Sequence, residues 1–265
     1  ASGDTLLGAD DKAGIAEIMT LVERLAGEEH GPISIAFTPD EEVGRGTADF
    51  DLERFGADFA YTVDGGPEGE LSYENFNAAS AVVKIRGLSV HTGSAKDVMI
   101  NAALLAMEFN SLLPPMETPR LTSGREGFYH LSSVKGSCDS AEARYILRDH
   151  DAGILALRMD TMRRAAEALN SKYGEGTVSL TLREGYRNMV SKIVPDNMHL
   201  VDNAVAVIRS CGLEPRIRLV RGGTDGAELS WRGLPCPNLG TGGFNFHGPF
   251  ECITIEKMDK AVEIL

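Results

Sequence analysis

Four short polar clusters in this 265-residue chain carry side chains able to hold a metal ion or move a proton. Gly8-Ala9-Asp10-Asp11-Lys12 follows Leu6-Leu7, and Thr38-Pro39-Asp40-Glu41-Glu42 follows the apolar run Ile33–Phe37. Asp64-Gly65-Gly66 follows Phe59–Val63, and Asn245-Phe246-His247-Gly248 follows Pro237-Asn238-Leu239 and a Gly-rich turn. The apolar runs read as strands, and in an open parallel sheet ligands bind in the crevice beyond the strands' carboxyl ends. Carboxylates and one imidazole converging there make a donor set suited to Zn²⁺, Mn²⁺ or Co²⁺. The adjacent pair Glu41-Glu42 adds a division of labour. One carboxylate can bind the ion while the other takes a proton from a water that the ion has acidified toward a pKa of about 7.

Each cluster alone has a plainer reading. Asp10-Asp11 could cap a helix and favour its dipole. Asp40-Glu41-Glu42 could be an acidic turn, Asp64-Gly65-Gly66 an ordinary turn after a strand, and His247 a satisfied loop histidine. Their common place after strand-like runs favours the functional reading.

The elements that must position these residues follow from periodicity. Residues 12–28 put Ile15, Ile18, Met19, Leu21, Val22 and Leu25 near one helical face ahead of Gly27. Strands are predicted at Ile33–Phe37 and Phe59–Val63, so strand, helix and strand follow one another with short loops, as in a largely parallel sheet. The middle differs: strands at Ala79–Ile85, Tyr145–Arg148 and Thr177–Leu182, with helices at Val98–Leu113 and Ala152–Lys172, suit a smaller inserted α+β layer. After it come a helix over 195–210, a strand at Pro215–Leu219, a helix at Asp225–Trp231, a further strand, and an amphipathic helix from about Thr254. The expected fold class is therefore α/β, a mostly parallel sheet with helices on both faces, interrupted by an inserted α+β domain.

The formal net charge of −13 argues against nucleic acid and anionic membrane as partners, since both call for a basic face. No apolar run approaches the roughly 18 residues that span a bilayer. Cys138, Cys211, Cys236 and Cys252 have no CxxC spacing, and reduced thiols in a cytoplasmic protein are expected.

Leu7–Gly14 (LGADDKAG), Phe37–Gly44 (FTPDEEVG), Tyr61–Gly66 (YTVDGG), 221–226 (RGGTDG) and Thr241–Gly248 (TGGFNFHG) resemble the peptidase T group of the M20 metallopeptidases. Further matches are Glu74–Ala79, Gly127–Leu131 and Leu234–Leu239, so the resemblance runs through essentially the whole chain. It implies a zinc-peptidase-like fold in three parts: the first part of a catalytic domain (1–77), an inserted dimerisation or lid domain (78–187), and the second part of the catalytic domain (188–265). It implies a tripeptide aminopeptidase with two divalent metal ions, zinc foremost. Asp10 would bridge the ions, with a cis Asp10–Asp11 peptide. Glu42 and His247 would bind one ion and Asp64 the other, and Glu41 would be the general base. By the same resemblance, His91 would stabilise the oxyanion in the partner subunit's site, and Arg221 would hold a substrate carboxylate or carbonyl. A short peptide substrate and a homodimer are implied.

One departure stands out. The family's remaining metal ligand is a histidine in a His-x-Asp motif on an earlier strand, and no such motif precedes Asp10. The N-terminal part of the catalytic domain is accordingly expected to be absent, and one metal site to lack its histidine. The alternatives are another M20-type dipeptidase, carboxypeptidase or N-acyl amino-acid deacylase, or a catalytically inactive, truncated dimerising remnant.

Overall fold

The computed structural model describes residues 7–265. The first of two compact units runs to Asn75 and resumes over Met189–Leu265, while Phe76–Asn188 forms the second. The first unit holds a sheet of β1 (Thr62–Val63), β2 (Glu70–Asn75), β7 (Arg216–Val220) and β8 (Asn238–Leu239) in the order β1-β8-β2-β7. β1 pairs parallel with β8 and β2 parallel with β7, and only the β2–β8 pair is antiparallel. Its helices are α1 (Ala9–Leu25), α2 (Leu52–Phe55), α5 (Val190–Ile193), α6 (Met198–Ser210), α7 (Asp225–Trp231) and α8 (Ile255–Ile264). Leu71 of β2 and Leu239 of β8 pack under Ile193, Val201, Ile208 and Ile264, all buried. Leu229, Leu234 and Cys236 form a second cluster with Phe50, Leu52 and Phe55.

The helix predicted over 195–210 forms as α6 from Met198, and the short α5 ends before it. Pro195 offers no N–H and bars the helical region to Val194, which is extended (φ −99°, ψ 131°). The strand expected at Ile33–Phe37 does not form. Ile33, Ile35 and Phe37 are 50%, 39% and 49% exposed, and no described strand hydrogen-bonds to this run. An extended segment becomes a strand only through a neighbour's N–H and C=O groups, which composition does not reveal. Of Phe59–Val63, only Thr62–Val63 joins a ladder, preceded by one bond from the Ala60 N–H to the Pro235 carbonyl at 3.0 Å.

In the second unit β3 (Asn77–Arg86), β4 (Phe128–Gly136), β5 (Ser140–Asp149) and β6 (Val178–Glu184) form an antiparallel sheet in the order β4-β5-β3-β6. On β3, Ala79, Ala81, Val83 and Ile85 point inward while Ser80, Lys84 and Arg86 are exposed, the period of two expected of a sheet covered on one face. Helices α3 (Ala102–Ser111) and α4 (Ala152–Tyr173) supply the cover. Helix α3 begins at Ala102 rather than Val98, because Asn101 Oδ1 accepts the Ala103 and Leu104 N–H groups at 3.1 and 3.3 Å and sets the start. β4 escaped the sequence reading. It is an edge strand whose residues from Ser132 on are all exposed, so its burial demands no apolar alternation.

Phe109 is fully buried among Tyr145, Leu147 and Met162. Phe109→Ala is expected to destabilise the second unit by about 3–5 kcal/mol, the cost of a large core cavity, measured by chemical denaturation.

Candidate metal centre

The acidic clusters come together at the ends of three segments of the first unit. Helix α1 is regular only from Lys12, because Asp10 (φ −89°, ψ 101°) and Asp11 (φ −125°, ψ 43°) are non-helical and joined by a cis peptide. Asp11 Oδ1 accepts the Gly14 N–H at 3.2 Å and so caps the regular helix. The pair divides: Asp11 does the capping and Asp10 is free to face the other clusters. Gly14 lies against the Val63 carbonyl so closely that no Cβ would fit, which brings the start of α1 beside Asp64, the residue after β1.

Asp64 is fixed by its neighbour strand: its N–H donates to the Leu239 carbonyl at 3.0 Å, and Asn238 Nδ2 donates to its carbonyl at 2.7 Å. Glu41 and Glu42 open a 3₁₀ turn, Glu41–Val43, entered through a left-handed Asp40 (φ 61°). His247 sits at φ 58°, a conformation unusual for a side-chain-bearing residue. Its loop is closed at the neck by two bonds between Phe244 and Cys252, at 2.8 and 3.0 Å.

His247 Nε2 lies 3.0 Å from Asp10 Oδ2 and 3.1 Å from Glu42 Oε2. Among the described residues, Asp10, Glu42 and His247 form one group whose donor atoms lie within 4.8 Å of one another, and Asp10, Asp11 and Asp64 form another. Asp10 belongs to both. A tetrahedral ion with bonds of 2.0–2.1 Å needs donors about 3.3 Å apart, close to the separations around His247. The residues fit a divalent cation in spacing and in donor chemistry, one imidazole with oxygen ligands.

The electrostatics agree. Burial, the hydrogen bond to Asp10 and the charges of Asp11, Asp10 and Glu41 push the Asp64 carboxyl far above the usual range. Burial, with neighbouring charges, pushes Asp11 up to about 8 against the opposing bond from Gly14. Glu41 is pushed up to about 7 by burial and by Asp225, Glu42 and Asp10. Burial alone would lower the His247 pKa, but Glu42 and Asp10 outweigh it and raise it. Without a cation, negative charge here is relieved by protons. A bound cation would take their place.

The structure thus brings together Asp10, Glu41, Glu42, Asp64 and His247. Arg221, half-buried, stands just after β7, where the chain leads into Thr224, the cap of α7. His91 belongs to the second unit, where it is exposed and its Nδ1 accepts the Gly93 N–H at 3.2 Å.

The sequence model of peptidase family M20/M25/M40 matches residues 8–265. The chain belongs to this family. It is 54% identical to peptidase T of Desulfitobacterium hafniense strain Y51 over 99% of its own length and 65% of that protein's. The structure of aminopeptidase PepT from Bacillus cereus superposes with a TM-score of 0.86 at 26% identity, covering 99% of this chain and 70% of that one. A dinuclear metal-binding M20 peptidase from Bacillus subtilis superposes with a TM-score of 0.66 at 17% identity over 95% and 68% of the two chains, a likeness of fold. The chain therefore spans slightly less than two thirds of the length of the curated relative it matches. No helix among the described residues is long and apolar enough to cross a membrane.

Two residues of this centre were not singled out from sequence. Asp225 accepts a hydrogen bond from the Thr38 hydroxyl at 2.8 Å, and its carboxylate packs on Gly46, where a Cβ would not fit. Its signal lay in the 221–226 tract, read only for its arginine. Glu251, buried four residues beyond His247, accepts the Asp10 N–H at 3.0 Å. An acid closely following a candidate ligand was its one signal. Burial would raise its pKa, but the N–H groups of Asp10, Gly8, Ala9 and Leu7 hold it below the usual range.

The raised pKa values fix the sign of a pH effect. The unfolded carboxyls lose protons near pH 4, whereas folded Asp11 keeps its proton to about 8. The cluster's contribution to metal-free stability is therefore full below about pH 4 and lost as pH rises through about 8. Added Mn²⁺ should raise the melting temperature more at pH 8 than at pH 5.5, and Asp10→Asn should abolish that difference in a thermal-shift assay.

Proposed function

We propose that the chain carries the metal-dependent centre of an aminopeptidase that removes the N-terminal residue from short peptides, tripeptides foremost. The observation that carries this reading is Asp10 standing in two donor groups at once, with Glu41 close enough to feel the charges of Asp10, Glu42 and His247. Asp10, Glu42 and His247 would hold one divalent ion, zinc foremost. Asp10 and Asp64, with Asp11 beside them, would hold the other. Such ions polarise a peptide carbonyl and lower the pKa of water toward about 7. The Bacillus subtilis relative is described as a dinuclear metal-binding peptidase, the name of the Desulfitobacterium relative supports a peptidase and that of the Bacillus cereus one an aminopeptidase.

Glu41 has the position and the proton affinity for a general base. In the metal-free chain burial and neighbouring acids push its carboxyl up to about 7, and a carboxylate beside the ions would accept a proton from the attacking water and return it to the leaving amine. Glu42, next in sequence, stays on the ligand side of the same turn. Arg221 would take a substrate carboxylate or carbonyl, and the glycines after it leave room for a peptide backbone. In this reading the chain pairs as a homodimer through its second unit, and His91 of the partner subunit stabilises the oxyanion. A cytoplasmic location suits its unpaired cysteines, Cys138, Cys211, Cys236 and Cys252.

Another M20-type dipeptidase, carboxypeptidase or deacylase would use the same centre on a different substrate. A second reading, metal binding without turnover, is favoured by one observation: the group of Asp10, Asp11 and Asp64 is carboxylate only.

The test is hydrolysis of a tripeptide with a free or a blocked amino group, with metal or with chelator. Metal-dependent cleavage confined to the free amine is expected. Glu41→Gln should lower kcat by about 10²–10⁴-fold while metal binding persists. Full activity in that variant, or equal cleavage of blocked peptides, would overturn the aminopeptidase reading. Bound metal with no cleavage would favour the second one.

A further inference from the structure

The two segments that supply Asp10 and His247 lie at opposite ends of the sequence, and a carboxylate outside both donor groups ties them together. Glu251 is 2% exposed. Its Oε1 accepts the Asp10 N–H at 3.0 Å and its Oε2 accepts the Gly8 N–H at 3.2 Å. These N–H groups need an acceptor from elsewhere: they lie at the start of the helix, where N–H groups have no partner within it, and Gly8 offers no side-chain cap. A buried carboxylate receiving backbone N–H groups makes strong, charge-assisted bonds that fix direction as well as distance.

At its other end Glu251 is part of the His247 loop. Its own N–H donates to the Gly248 carbonyl at 3.1 Å, one residue past the histidine, and Cys252 closes the loop on Phe244. The same short loop therefore presents an imidazole to the Asp10 side chain and a carboxylate to the Asp10 backbone.

We propose that Glu251 is a positioning residue of the metal centre, a clamp that holds the Asp10 segment and the His247 loop at the separation a shared cation requires. The proposal rests on the metal reading given above. Glu251 stands outside both donor groups, and its effect is on how well Asp10 and His247 are placed before a cation arrives. Groups that orient metal ligands in this way set affinity by about 10–100-fold.

The experiment compares the unaltered chain with Glu251→Ala, Glu251→Gln and His247→Ala. Mn²⁺ affinity is measured by calorimetry, and amide hydrogen exchange over residues 8–10 is measured without metal. Glu251→Ala should weaken Mn²⁺ binding about 10–100-fold and deprotect the Gly8 and Asp10 amides. Glu251→Gln, which keeps an acceptor oxygen and the shape, should recover part of both and keeps the test open if the alanine variant fails to fold. His247→Ala should weaken binding while leaving those amides protected, which separates loss of a ligand from loss of the clamp. Unchanged affinity in both folded Glu251 variants would overturn the proposal. If the unaltered chain bound no Mn²⁺, the metal reading would fall, and the amides would decide the clamp alone: exposure in Glu251→Ala would support it and continued protection would refute it.

Discussion

Carboxylates of like charge repel, and the first unit crowds Asp10, Asp11, Glu41, Glu42 and Asp64 around a single imidazole, that of His247. Burial costs more still, because it strips each charge of its water, and it weakens the screening between them as well. The raised proton affinities of Asp11, Glu41 and Asp64 express that cost. Much of the local architecture is explicable as a means of holding these groups together despite it. Gly14 lets α1 approach β1, Asn238 and Leu239 anchor Asp64, and the closed loop from Phe244 to Cys252 holds His247 in a left-handed conformation. A divalent cation would convert the same arrangement from a strained cluster into a set of ligands.

The division of labour between adjacent acids follows from geometry rather than from residue type. Asp10 and Asp11 are chemically alike, yet one caps α1 through Gly14 and the other meets His247. Glu41 and Glu42 begin the same tight turn. Glu42 reaches the imidazole, whereas Glu41 is more buried and faces Asp225, which raises its proton affinity. In each pair one member is available for an ion and its neighbour shapes the surroundings.

The donor set was legible in the sequence because metal ligands must be of a few chemical types and because strand ends gather them. The helices of the second unit were legible too, through their apolar periodicity, and Asp225–Trp231 forms the predicted helix without change. What escaped had more than one cause. Ile33–Phe37 has the composition of a strand but no described neighbour to bond with, while β4 is a strand on an edge where little burial is asked of it. Glu251 reads as one acid among many until its distance to the Asp10 amide is known. The plainer reading of Asp10-Asp11 as a helix cap was half right, since Asp11 does cap, and only the structure separates the two.

The most direct test of the cation's place in this cluster is its proton inventory. Mn²⁺ binding would be followed by calorimetry at pH 7 in buffers of different ionisation enthalpy, which yields the protons exchanged per ion bound. The expected result is net release, as the cation displaces protons held on Asp11, Asp64 and their neighbours, diminishing as pH approaches 9. Binding with no proton release at pH 7 would contradict it, since the carboxylates would then be charged without a cation, and no binding at all would leave the cation no place in the cluster.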